Sequence, residues 1–167
     1  MSRTLFRFSR RIDIGQEGPA VNIFEYAKKF EKDSELFYRD LAERCFEIGV
    51  AVILARLADE EAQHFKVIEA MERGAIGPEI KESDILADAR NVIDLAREKD
   101  GIFREDLPES EVYALALDIE QKGKDFYEER AGKSDDAVQR ETFLKLAQQE
   151  REHYMTIELM SDLFQDR

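Results

Sequence analysis

Cysteine is almost missing from this chain. Among 167 residues there is one, Cys45. A single cysteine cannot form an internal disulfide, so a disulfide scaffold is excluded. A zinc site built on cysteines fails for the same reason. Proline and glycine are scarce, at 3 and 8 residues, which points to long helices rather than many turns. No long hydrophobic run exists. The longest, Ile48 to Ala55, falls far short of the ~20 residues a membrane span needs. Basic residues are outnumbered, 25 Lys and Arg against 38 Asp and Glu, for a formal charge of −13. That balance argues against a nucleic-acid partner, which needs a basic face, and is compatible with cation handling. Met1 to Arg11 is basic, but no apolar stretch of the secretory kind follows, so cytoplasm is the expected compartment.

What is present reads as helices. The length suits one domain with one core. Residues 1–18 read as an N-terminal arm, in which Arg3, Arg7, Arg10 and Arg11 interleave with Leu5, Phe6, Phe8 and Ile12. Asn22, with Glu25 three residues on, signals the start of a first helix that runs to about Arg44. A second spans about Glu47 to Arg73 and stops at Gly74, with Gly77-Pro78 beyond. Ser83-Asp84 opens a short helix to about Lys99, whose apolar face is Ile85, Ala89, Val92, Ile93 and Ala96. A third long helix begins between Asp106 and Ser110 and ends at Ala131-Gly132. Ser134, followed by Asp135 and Asp136, is the expected cap of a fourth that continues almost to Arg167. The expected fold is all-α: a four-helix bundle over residues 19–167, made of hairpins at about 22–73 and 109–165. One long crossover containing the short helix joins them.

The two hairpins repeat one another. An offset of 89 residues places Glu31 on Glu120, Phe37-Tyr38 on Phe126-Tyr127, Ala42 on Ala131 and Leu57-Ala58 on Leu146-Ala147. It also places Glu61 on Glu150, His64 on His153, Ile68-Glu69 on Ile157-Glu158 and Met71 on Met160. The chain has two histidines. Both lie in Glu-x-x-His, Glu61 with His64 and Glu150 with His153, and each motif follows a repeat-matched glutamate, Glu31 or Glu120, by 30 residues.

Helix geometry turns that spacing into a site. From Glu31 to the turn near residue 46 the chain climbs about 15 residues, and it descends as many to Glu61. At 1.5 Å per residue both legs are ~22 Å, so the two glutamates end at one height on neighbouring helices. Glu120 and Glu150 are related the same way about Asp135. Residues three apart share a helix face, so each Glu-x-x-His aims both side chains one way. That way is inward, because Leu54, Leu57, Glu61, His64, Ile68 and Met71 form one stripe. Phe143, Leu146, Glu150, His153, Ile157, Met160 and Phe164 form another. Four ionised glutamates buried together are very unfavourable without compensation. Two divalent cations would balance them. Carboxylate and imidazole ligands with open positions suit iron or manganese, with zinc as an alternative. Bundle cores hold di-metal carboxylate sites of this kind.

These stretches resemble the ferritin-like superfamily, most closely its rubrerythrin-like branch. The likeness rests on Phe30-Glu31 through Phe37-Tyr38 with Leu57-Ala58 to Glu61 and His64, and on Ile119-Glu120 through Phe126-Tyr127 with Leu146-Ala147 to Glu150 and His153. It covers roughly residues 20–165. It implies a di-iron centre with Glu31 and Glu120 as terminal ligands, Glu61 and Glu150 bridging, and His64 and His153 capping one metal each. It departs from rubrerythrins proper in two ways. Cys45 alone cannot make the rubredoxin-like iron site, and the extra carboxylate one turn along the third helix is replaced by Gly123 and Lys124. The short fifth helix common in cage-forming ferritins has no room after the fourth helix, so a ferritin cage is not expected. The six-residue set looks more like that of bacterioferritin. Ala62 stands where that family's haem methionine would be, so no haem is expected. Tyr38 and Tyr127 follow Glu31 and Glu120 by seven residues and are candidate donors that orient a ligand glutamate. Asp59, Glu60 and Gln149 are candidates for orienting the histidines. The resemblance implies an oxidoreductase reacting with peroxide or dioxygen, served by a separate electron donor, in a homo-oligomer expected to be a dimer. Two alternatives stay open: iron binding or delivery with incidental ferroxidase activity, and a helical module whose metal is structural.

Overall fold

The computed structural model describes residues 22–96 and 109–165, which form five helices and no strand. The arm at 1–18 lies outside the described residues. Helix α1 spans Ile23–Arg44 and α2 spans Ile48–Glu72. The short α3 is Ile85–Ala96, α4 is Glu109–Lys133 and α5 is Ala137–Gln165. The all-α fold with a short helix in the crossover is the expected one, and the stretch to Lys99 lies outside the described residues.

The ends follow local chemistry. Asn22 holds an extended backbone, and its side-chain oxygen accepts the Phe24 N–H at 3.0 Å, satisfying one of the free donors of α1. Glu25 engages Lys28 at 2.5 Å. Glu47 caps α2 by accepting the Gly49 N–H at 3.3 Å. At the far end of α2 the Gly74 N–H reaches Met71 O at 3.0 Å and the Ala75 N–H reaches Ala70 O at 2.9 Å. This pair of bonds needs a left-handed residue between them, and Gly74 supplies it at φ +62°. The start of α5 differs from expectation in detail. Asp136, two residues beyond Ser134, accepts the Gln139 N–H at 2.7 Å, because it sits directly before the first helical residue. Ser134 instead bonds towards the Asp136 carbonyl and the Gln139 side chain.

Helices α1 and α2 pair along their length, as do α4 and α5, and α3 lies against α2 and α5. Ile85 and Ala89 of α3 are wholly buried, and a Cβ at Gly49 would come within 2.7 Å of Val92, so α3 can approach α2 closely only over a glycine. Arg56 of α2 also pairs with Asp84 and Asp88.

The core divides into two apolar clusters. One holds Phe37, Leu41, Ile53, Leu54, Leu57, Val112 and Ile119. The other holds Ala27, Val67, Ile68, Tyr127, Phe143 and Leu146. On α2, α4 and α5 a polar stretch separates them, Glu61 to His64, Glu120, and Glu150 to His153, and on α1 the buried Glu31 lies within the first cluster's run, just after Phe30.

Candidate metal centre

Each long helix brings its polar residue to that middle layer because apolar residues on the same helix are anchored in the two clusters, such as Ala27 and Phe37 around Glu31, Leu57 and Ile68 around Glu61, Ala116 and Tyr127 around Glu120, and Leu146 and Ile157 around Glu150. Glu31, Glu61, Glu120, Glu150, His64 and His153 are all at most 1% exposed. They form two overlapping groups: Glu31, Glu61, His64 and Glu150, and Glu61, Glu120, Glu150 and His153. Within each group one ligand atom per residue lies inside 4.8 Å of the others. Glu61 and Glu150 belong to both groups, so they occupy the shared position, and Glu31 and Glu120 stand at opposite ends. The His64 Nδ1 is 2.9 Å from Glu150 and 3.5 Å from both Glu31 and Glu61. The His153 Nδ1 is 3.0 Å from Glu61 and 3.4 Å from Glu120. The two imidazoles lie nearly parallel, with centroids 5.5 Å apart.

The donor set fits cations better than it fits itself. Glu31 Oε2, Glu61 Oε2, Glu120 Oε2 and Glu150 Oε2 are buried without a hydrogen-bond partner, while His64 Nδ1 and Glu150 Oε1 face each other at 2.9 Å. Orphaned buried polar atoms are costly, and here they are aimed at one another. Without cations, protons carry the compensation. Burial, reinforced by the neighbouring Glu61 charge, pushes Glu31 up to about 8. Burial likewise drives Glu150 well above the ordinary carboxylate range, with Glu61 and Glu31 adding to it. Burial alone would lower both histidines. The Glu31 charge and the Glu150 carboxylate outweigh it at His64, and the nearby Glu120, Glu60 and Glu61 carboxylates outweigh it at His153, so both end far above an ordinary histidine. Burial would raise Glu61, but its bond to His153 and the nearby His64 ring hold it below the ordinary range.

A ring of partners fixes these side chains. The Tyr38 hydroxyl donates to Glu120 and the Tyr127 hydroxyl to Glu31, each across to the other hairpin. Burial and the adjacent carboxylates push both phenols well above their ordinary value, so both stay protonated donors. The outer nitrogens of the histidines are held crosswise as well. His64 Nε2 meets Gln149 Oε1 at 2.8 Å, and His153 Nε2 meets Glu60 Oε2 at 2.9 Å. Asp59 takes no part in this ring; it pairs with Arg39 at the surface.

A family model described as Rubrerythrin matches residues 22–161. The chain belongs to the rubrerythrin family. No curated protein and no solved structure matches it.

In this chain the position one turn beyond Glu120 is occupied by Gly123. A Cβ there would lie 2.7 Å from Glu150 Oε2 and 3.0 Å from Phe30. The bare backbone at that point is what lets the Glu150 carboxylate occupy the shared position. Two features of the centre escape sequence reasoning. The first is that Glu60 and Gln149, both candidates for orienting the histidines, each hold the histidine of the opposite hairpin. The second is the part played by the segment before α3: Ser83 Oγ donates to Glu60 at 2.8 Å, and the Lys81 carbonyl accepts from Gln149 Nε2 at 2.8 Å. The 89-residue offset does carry a signal for the first, since it matches Glu60 with Gln149. Nothing local carries the second. Outside this layer Glu60 and Gln149 open onto a surface pocket of about 280 Å³ whose walls include Glu79, Glu82 and Asp84. No described helix is long and apolar enough to cross a membrane.

Proposed function

We propose that this rubrerythrin-family protein is a two-iron oxidoreductase that reduces peroxide or dioxygen. The observation that supports it most is the pair of overlapping four-residue groups that share Glu61 and Glu150. Glu31 and His64 would hold one ion, Glu120 and His153 the other, and Glu61 and Glu150 would serve both. When bound, two ferrous ions supply one electron each, enough to break the O–O bond of one peroxide, which takes up two protons and leaves as two waters.

The chain's own residues do the rest. The apolar clusters above and below exclude water, so each charge in the layer acts at low dielectric. Tyr127 and Tyr38 hold one oxygen of Glu31 and Glu120, leaving the other free to face the ion. Gln149 and Glu60 occupy the histidine Nε2 atoms, leaving Nδ1 to act as ligand. Electrons would return from an external donor. A homodimer and a cytoplasmic setting belong to the same proposal, and light scattering showing a strict monomer would remove the dimer.

Anaerobic loading with ferrous iron, followed by stopped-flow mixing with peroxide, tests the reading. The expected result is about two irons per chain and oxidation much faster than that of free ferrous iron. Oxidation no faster than free iron would contradict it. A second reading, iron binding and delivery, is favoured by the acidic walls of the pocket beside Glu60. It predicts loading beyond two irons or release to an acceptor.

A further inference from the structure

The two halves of the centre match at every ligand but differ at the residue behind each histidine. Glu60 and Gln149 are repeat equivalents, and each holds the Nε2 of the opposite hairpin's histidine at nearly the same distance, 2.9 and 2.8 Å. One is a carboxylate and the other a carboxamide. Their orientations are fixed from outside. Gln149 gives its amide N–H to the Lys81 carbonyl, which turns its oxygen towards His64. Glu60 takes the Ser83 hydroxyl on one oxygen and offers the other to His153.

A ligating imidazole becomes a stronger donor when its other N–H is given to a carboxylate, because the ring proton is drawn away and electron density moves to the metal-facing nitrogen. A carboxamide oxygen draws the proton less and brings no charge. His153 is fully buried and Glu60, at the mouth of the surface pocket, is 22% exposed, so the extra negative charge is partly screened by water but still acts on the buried ring at 2.9 Å. Near-symmetric ligands therefore sit in asymmetric surroundings.

Resting on the two-metal reading above, we infer that Glu60 and Gln149 are positioning residues that make the metal positions unequal: the position of Glu120 and His153 takes its divalent cation first and more tightly than that of Glu31 and His64. The inequality is a property of this chain's Glu–Gln pair rather than of the six ligands. It gives the centre an ordered assembly, with one ion resident and the second added at the Gln149 side.

The test uses the full chain, stripped of metal and given one equivalent of cobalt(II) without oxygen. Anomalous scattering from crystals then gives the occupancy of each position, and calorimetry gives the two binding steps. Wild type is expected to fill the His153 position about tenfold in preference, the low end of the effect of altering such a partner. Glu60→Gln makes both partners amides and is expected to abolish the preference. The exchange variant, Glu60→Gln with Gln149→Glu, is expected to reverse it, which a merely structural role would not do. Equal filling in wild type, or a preference that survives the exchange, overturns the inference while two ions still bind. Failure of wild type to bind any cobalt in this layer overturns the two-metal reading along with it.

Discussion

Tyr38 and Tyr127 each reach across the molecule to a glutamate of the other hairpin. Replacing Tyr38 with Phe keeps the ring among its apolar neighbours and removes only the donor to Glu120. The expected result is at least ~10-fold weaker metal binding, read by competition with a chelator, with secondary structure unchanged. Tyr127→Phe should act equally through Glu31. Gly123 gives a sharper test, because two effects oppose each other there. Alanine favours a helix over glycine by ~1 kcal/mol, so Gly123→Ala should leave the metal-free protein about as stable as wild type. Its Cβ would nevertheless press on the Glu150 carboxylate at 2.7 Å. Metal analysis is expected to find fewer than two ions per chain in the variant. Two tightly held ions would show that Glu150 is not required where the structure puts it.

At the scale of elements, α3 couples to the centre through the chain before it. Ile85 is completely buried at its start, two residues after Ser83, which holds Glu60. Ile85→Ala is expected to cost about 2–5 kcal/mol in chemical denaturation. Metal binding should weaken as well, because the segment that anchors Glu60 and Gln149 loosens. Leu41→Ala, in the same apolar cluster but remote from that segment, should lose comparable stability with little change in affinity. Sequence could reach the hairpins and not this coupling, for a physical reason. The hairpins announce themselves through caps such as Asn22, the Gly74 stop and apolar stripes of helical period, all of which are local signals. The meeting of Glu31, Glu61, Glu120 and Glu150 at one height follows from equal climb and descent around two turns, which counting alone supplies. The hold of Ser83 and Lys81 on Glu60 and Gln149 depends on where the crossover lands. That is set by Ile85, Ala89 and the opening at Gly49 packing against α2 and α5, and no periodicity encodes it.

Across the whole molecule, the acid excess read from composition becomes a statement about stability. In the metal-free protein Glu31 is raised from 4.5 to about 8 by burial. The stability it contributes as a neutral acid is complete below 4.5 and is lost as pH rises through about 8. Glu150, His64 and His153 are raised too and act in the same sense. Glu61 is lowered, so its contribution is lost only in acid. The thermal midpoint of the metal-free protein is therefore expected to fall between about pH 6 and about pH 9. The stabilisation brought by metal should grow over the same range, because protons compete less for the ligand atoms. A metal-free midpoint that rises with pH would contradict this picture of the buried layer.

The central claim is that two cations belong between the four glutamates and two histidines. Crystals of the full chain loaded anaerobically with ferrous iron, measured at the iron absorption edge, test it most directly. The account predicts two anomalous peaks in the middle layer, one beside Glu31 and His64 and one beside Glu120 and His153, with Glu61 and Glu150 touching both. An absence of peaks in that layer at saturating iron, or iron bound only at the surface, would contradict it.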